Sequence, residues 1–231
     1  MRRLFSPFFL TLTVLVVAGY AYAAARLADG TLAHLALAVP FALVWLVPVV
    51  YWGLGRGKHT RADDALHAAA YVAMGFVNFL LVALLARDAA QALAGVAGAD
   101  GLHGWLHAHG APLALGVACA AFATGVLAAR LGPRVKRMRV PIPGLDPRLE
   151  GLRIVQISDL HVGPTIGRRY VRHVVERANA LDADLVVLTG DIVDGPVERL
   201  REDVAPLADL APRDRRFFIL GNHDVYAGAR A

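Results

Sequence analysis

Ile154-Val155-Gln156-Ile157-Ser158-Asp159-Leu160-His161 is an apolar run that stops at an aspartate and, two residues later, a histidine. A buried strand that delivers a carboxylate and an imidazole at its carboxyl end is how open α/β sheets present groups to a ligand. The pattern recurs twice. Leu185-Val186-Val187-Leu188-Thr189 runs into Gly190-Asp191-Ile192-Val193-Asp194, and Phe217-Phe218-Ile219-Leu220 runs into Gly221-Asn222-His223-Asp224. Asp191 lies 32 residues after Asp159, and Asn222 lies 31 after Asp191. A βαβ unit needs roughly 30 residues, so each interval holds one helix. In the first interval Tyr170, Val171, Val174, Val175, Ala178 and Leu181 recur at helical spacing. In the second, Pro196 suits the first turn of a helix carrying Leu200, Val204, Leu207 and Leu210, with Pro206 interrupting it. Right-handed crossovers place all three strand ends on one sheet edge. The expected order is β-α-β-α-β, with Asp159, His161, Asp191 and Asn222 meeting at one point.

Upstream the composition changes. The 231 residues are 57% hydrophobic with a mean hydropathy of +0.49, too apolar for one soluble domain. Residues 1–131 carry 8 Lys/Arg and 5 Asp/Glu, whereas residues 132–231 carry 16 and 14. Four apolar runs, Phe5–Ala25, Leu32–Trp52, Ala65–Ala86 and Ala111–Ala129, are each near the ~20 residues of a membrane-crossing helix. Arg2, Arg3, Arg56, Lys58, Arg61, Arg130, Arg134, Lys136, Arg137 and Arg139 flank them on one side, against Arg26 and Arg87 on the other. The positive-inside rule then puts both termini, and the α/β part, in the cytoplasm of a multi-pass inner-membrane protein. A rival reading takes Arg2-Arg3-Leu4-Phe5 and the first run as a cleaved export signal; three further spans and their charge pattern oppose it. The expected domains are a four-span region over 1–131, a strand and Pro/Gly-rich link over 132–150, and the α/β segment over 151–231. Within the link, Val135-Lys136-Arg137-Met138-Arg139-Val140 partly alternates and reads as a strand.

Several features invite a function that their context denies. Gly53-Leu54-Gly55-Arg56-Gly57-Lys58 resembles a phosphate loop, but the first glycine of that motif would stand five residues before Gly57, and that position is Trp52. It reads as a basic turn. His103, His107 and His109 could hold a metal, yet they fall in a Gly-rich segment between spans and read as solvated loop residues. Asn78, Gly116, Ala120 and Gly125 read as helix-packing positions. Cys119 stands alone, which excludes a disulfide framework or a cysteine zinc site. The net charge of +5 gathers beside the spans, so specific nucleic-acid binding is not expected.

The strand ends carry the chemistry. Carboxylates, an imidazole and the Asn222 amide form a hard-to-borderline ligand set suited to Mn, Fe or Zn. Asp191, central among the three strand ends, is the natural bridge between two ions. Two ions roughly 3.5–4 Å apart can activate a water and clamp both oxygens of a phosphoryl displacement. His223 is placed to protonate a leaving oxygen, with Asp224 beside it to orient the ring. One polar strand end would be an ordinary turn; three in succession, all metal-competent, are not.

Together, Asp159-Leu160-His161, Gly190-Asp191-Ile192-Val193-Asp194 and Gly221-Asn222-His223-Asp224 resemble the first three signatures of the calcineurin-like metallophosphoesterases, in particular their membrane-associated bacterial branch. The resemblance covers about residues 135–226. It implies an αββα sandwich of which only the N-terminal β-α-β-α-β half is present here. It also implies two divalent ions, with Asp159 and His161 on one, Asp191 bridging, Asn222 on the second and His223 as the acid. The family continues with a further histidine and a Gly-His-x-His motif. The chain stops at Ala231, which reads as a fragment or truncated product. The expected activity is metal-dependent, manganese-supported hydrolysis of a phosphate ester, diester or lipid-linked pyrophosphate at the membrane. The alternative is a non-catalytic polytopic protein whose incomplete phosphoesterase half binds or scaffolds a partner.

Overall fold

The structure, a computed structural model, describes residues 6–54 and 60–229. Arg2, Arg3, Arg56 and Lys58, together with most of the basic turn after Leu54, lie outside the described residues. The chain divides into two compact units, residues 1–128 and 129–231.

The first unit is built from α1 (Pro7–Leu27), α2 (Thr31–Pro48), α3 (Arg61–Val96) and α4 (Asp100–Arg130). All four are long and apolar enough to cross a membrane. Pro48 ends α2, and one π-helical turn, Val49–Gly53, follows it. α3 starts with a capping box in which Thr60 accepts from the Asp63 N–H and the Asp63 carboxylate accepts from the Thr60 N–H. Small residues let the helices approach: Ala23, Ala114 and Ala118 pack with Phe41, Leu80 and Leu84. That corrects one expectation. Asn78, Gly116, Ala120 and Gly125 face outward, and a Cβ added at either glycine would meet nothing. A second correction concerns the histidines. α3 runs ten residues past Ala86 and α4 starts at Asp100, so His103, His107 and His109 are helical rather than in a loop. His103 Nδ1 lies 3.0 Å from the Gln91 carbonyl. His103 and His107 line a cleft of about 920 Å³ with Arg26, Arg87 and Asp88. There Asp88 accepts from Arg26 Nε and the Tyr22 hydroxyl, both at 2.7 Å, which ties α1 to α3.

In the second unit, β1 (Ile154–Ile157), β2 (Leu185–Leu188) and β3 (Arg216–Phe218) form a parallel sheet in the order β1-β2-β3. Ile154 faces Leu185, and Val186 faces Arg216. α5 (Arg168–Asn179) and α6 (Val197–Val204) are the crossovers, and α6 passes into a 3₁₀ turn, Ala205–Asp209, at Pro206. The apolar stripe of α5 buries Val171, Val174, Val175 and Ala178 against Val186, Ile157, Leu160 and Leu210. The opposite side of the sheet leaves Ile154, Phe217 and Ile219 more than half exposed. The β-α-β-α-β order follows the sequence reading. The expected strand over Val135–Val140 does not form. Those residues adopt no regular secondary structure and join no ladder.

Candidate metal centre

Each strand of the sheet passes into a loop that carries a candidate side chain. After β1, Asp159 and His161 adopt φ of 56° and 48°, and after β2 Asp191 adopts 53°. These left-handed values are unfavourable for residues with a Cβ and persist only where the surroundings enforce them. Here the enforcement is backbone pairing. The Asp159 N–H donates to Gly190 O, the His161 N–H to Asp191 O at 3.0 Å and the Val162 N–H to Ile192 O at 2.8 Å. Buried Leu160 and Val162 anchor the same turn. The β1 and β2 loops therefore run side by side beyond the sheet, and both direct carboxylates to one edge.

The β3 loop approaches closely enough to require two glycines. A Cβ on Gly190, itself at φ +88°, would meet Gly221 N at 2.4 Å. One on Gly221 would strike the Asp191 carboxylate. Only glycine permits that contact, and it brings α7 (Asn222–Tyr226) over β2. The His223 N–H then donates to Asp191 Oδ1 at 2.9 Å. Asn222, the first residue of α7, is exposed beside it.

Asp194 organises the imidazoles. Its Oδ1 accepts from His161 Nδ1 and from His223 Nδ1, each at 2.8 Å, and the two rings meet edge-on at 4.6 Å. A carboxylate only accepts, so both Nδ1 atoms carry protons and each neutral ring keeps its lone pair on Nε2. The hydrogen bond to Asp194 raises the His161 pKa, and burial opposes it. His161 Nε2 lies 4.0 Å from Asp159 Oδ1. Donor atoms of Asp159, His161 and Asp191 all fall within 4.8 Å of one another. Three electron-pair donors brought together in this way repel one another unless a cation lies among them, so this donor set fits a divalent metal. The second group, His161, Asp194 and His223, is already held together by its own hydrogen bonds.

The structure thus brings Asp159, His161, Asp191, Asn222 and His223 to one edge. It reassigns Asp224. That carboxylate is 2% exposed and accepts from Ile192 N at 2.9 Å, Val193 N at 3.1 Å and Gly221 N at 2.9 Å. It fastens the β3 loop to the β2 loop, and the His223 ring is oriented by Asp194 instead. The signal for Asp194 was its place three residues after Asp191, where the Val162–Val193 bridge extends the parallel pairing and turns the side chain to the site.

Residues 152–231 match the calcineurin-like phosphoesterase family. A transmembrane protein with metallophosphoesterase domain from Danio rerio is 41% identical over 102 residues, 44% of this chain and 23% of that protein. An uncharacterized metallophosphoesterase of Helicobacter pylori is 31% identical over 96 residues, 42% of this chain and 25% of its own length. The UDP-2,3-diacylglucosamine pyrophosphatase of Chlamydia trachomatis is 38% identical over 96 residues, covering 39% and 28%. The chain spans about a quarter of the length of these curated relatives. No solved structure matches it significantly.

Proposed function

We propose that residues 152–231, a calcineurin-like phosphoesterase segment, take part in metal-dependent hydrolysis of phosphate esters at the cytoplasmic face of the inner membrane crossed by α1–α4. Asp159, His161, Asp191 and Asn222 would hold the divalent ions, two of them if Asp191 is shared. The chemistry that such ions supply is stabilisation of phosphoryl charge and acidification of the attacking water. The remaining work falls to the chain's own groups. His223, with its Nδ1 proton fixed on Asp194, presents Nε2 as the proton donor to the leaving oxygen. Asp194 holds the ring in that tautomer and stabilises the imidazolium that precedes proton transfer. Asp191, by accepting the His223 N–H, sets the distance between the proton donor and the metal-ligating edge.

The observation that carries this reading is the single Asp194 oxygen shared by His161 and His223. It fixes both Nδ1 protons, so that the His161 Nε2 faces the carboxylates and the His223 Nε2 is the atom left to carry a proton to the leaving group. The substrate is a phosphate monoester, diester or lipid-linked pyrophosphate. The name of the chlamydial relative and the four apolar helices support the last of these.

The test uses the full chain in nanodiscs, with manganese binding measured by calorimetry and hydrolysis of bis(p-nitrophenyl) phosphate followed in parallel. Asp191→Ala is expected to lose both. His223→Ala is expected to keep manganese and lose about 10²–10⁴ in rate, the range for removing a general acid. If the unaltered chain binds no divalent metal, the reading fails and a non-catalytic binding or scaffold module takes its place.

A further inference from the structure

Between Arg130, the last residue of α4, and Leu145 the chain carries Arg134, Lys136, Arg137 and Arg139 and no acid, and all four are exposed. This link lies against α5. Arg177 donates to the Pro133 carbonyl, and the His173 ring sits so close to Gly132 that a Cβ there would meet it at 2.5 Å. The outer face of α5 adds exposed Arg168, Arg169 and Arg172, against one acid in the helix, Glu176. Arg134, Lys136, Arg137, Arg139, Arg169 and Arg172 take part in no ion pair among the described residues.

Neither folding nor topology accounts for the α5 cations. A helix is electropositive at its start; the Asp203 carboxylate of α6 accepts the Arg168 N–H there at 2.9 Å, but α5 has no acid of its own in the first turn to balance the Arg168 and Arg169 side chains, which oppose its stability. The positive-inside bias acts within about 15–20 residues of a span, and Arg169 is 39 residues beyond Arg130. An external anion is what this surface lacks. The anionic surface always within reach is lipid. The link begins at the end of a helix able to cross a membrane, and its farthest cation is nine residues on, about 30 Å of extended chain. Close to an anionic leaflet each such cation strengthens attachment roughly fivefold.

We propose that the link and the outer face of α5 form one docking surface for anionic phospholipid headgroups. The proposal is independent of any hydrolytic activity. No link amide from Arg134 to Gly144 donates a hydrogen bond among the described residues, so these amides report docking directly by hydrogen exchange. The full chain is compared in nanodiscs of phosphatidylcholine and of an equimolar mixture with phosphatidylglycerol. Exchange over residues 134–140 is expected to slow several-fold only in the anionic discs. It should recover in 1 M salt, where the Debye length is about 3 Å. Arg169→Glu with Arg172→Glu should abolish the protection, and Arg169→Lys with Arg172→Lys should retain it, while slow exchange of Val186 and Val187 in β2 verifies folding of both variants. Equal exchange in the two discs would overturn the proposal. So would protection indifferent to the α5 charge reversal, or protection that appears only when duplex nucleic acid is added.

Discussion

Asp159 shows how far a single residue can be separated into structural and chemical parts. Its side chain is 67% exposed with only a 4.0 Å approach to His161, so the fold gains little from the carboxylate yet bears a left-handed backbone. Asp159→Gly and Asp159→Ala remove the same ligand, but only alanine keeps the strained Cβ. The glycine variant should be the more stable by about 1 kcal/mol in urea unfolding, with both failing to bind manganese. Asp194 gives a second prediction, in pH. Its hydrogen bond raises the folded-state pKa of His161. In chelator-treated protein the resulting stabilisation is complete below the unfolded histidine value, about 6.5, and is lost as pH rises through the folded value. Unfolding midpoints measured across that window should fall with rising pH, and Asp194→Asn should remove that part of the slope. A variant whose slope equals the parent's would show that the His161 ring does not depend on Asp194.

Among the elements, the three strands and two crossovers were legible because parallel strands buried on α5 read as unbroken apolar runs that stop abruptly. The side-chain partnerships at their ends were less so. Asp224 follows His223 directly and reads as its partner, but one turn of α7 points the carboxylate inward to the Ile192 and Val193 amides. Nothing in the local sequence tells a fastening aspartate from an orienting one; the close approach of Gly221 to Asp191 decides it. The link failed for a related reason. Val135–Val140 alternates as a strand would, but alternation alone does not pair it with a neighbour, and it forms no strand. The histidines of α4 were misplaced because glycines at 101, 104 and 110 suggest a loop, although the helix runs through them. The element-scale prediction follows from Asp224. Asp224→Ala strands three amides and should cost about 3 kcal/mol or more of stability. Asp224→Asn, which keeps one acceptor oxygen, should cost about half as much and leave hydrolysis by the folded fraction near the parent rate. A loss in Asp224→Asn as deep as that of His223→Ala would return Asp224 to the catalytic role its position suggests.

At the scale of the molecule, the cores formed by the described residues share no residue, and each lies within a single unit. One core packs Val171, Val174 and Val186 around the sheet, and another packs Ala23, Leu80, Leu84 and Ala118 among the apolar helices. Every candidate ligand lies in residues 159–223, within the second unit. A ligand stabilises only what unfolds with its site, by an amount near 2.7 kcal/mol when its free concentration is a hundred times its dissociation constant. Manganese added to the full chain in nanodiscs should therefore slow hydrogen exchange of β1, β2 and α5 and leave the centres of α1–α4 unchanged. Chelation should reverse the effect. Asp191→Ala should show none of it, because the remaining Asp159 and His161 supply only two donors to one ion. If manganese instead slowed exchange equally in α3 and α4, binding would be coupled across both units, and the metal centre would have to be sought beyond the sheet edge. If it slowed exchange in neither unit, the converging donors would be a surface acidic cluster, and the proposed hydrolytic function would fall with them.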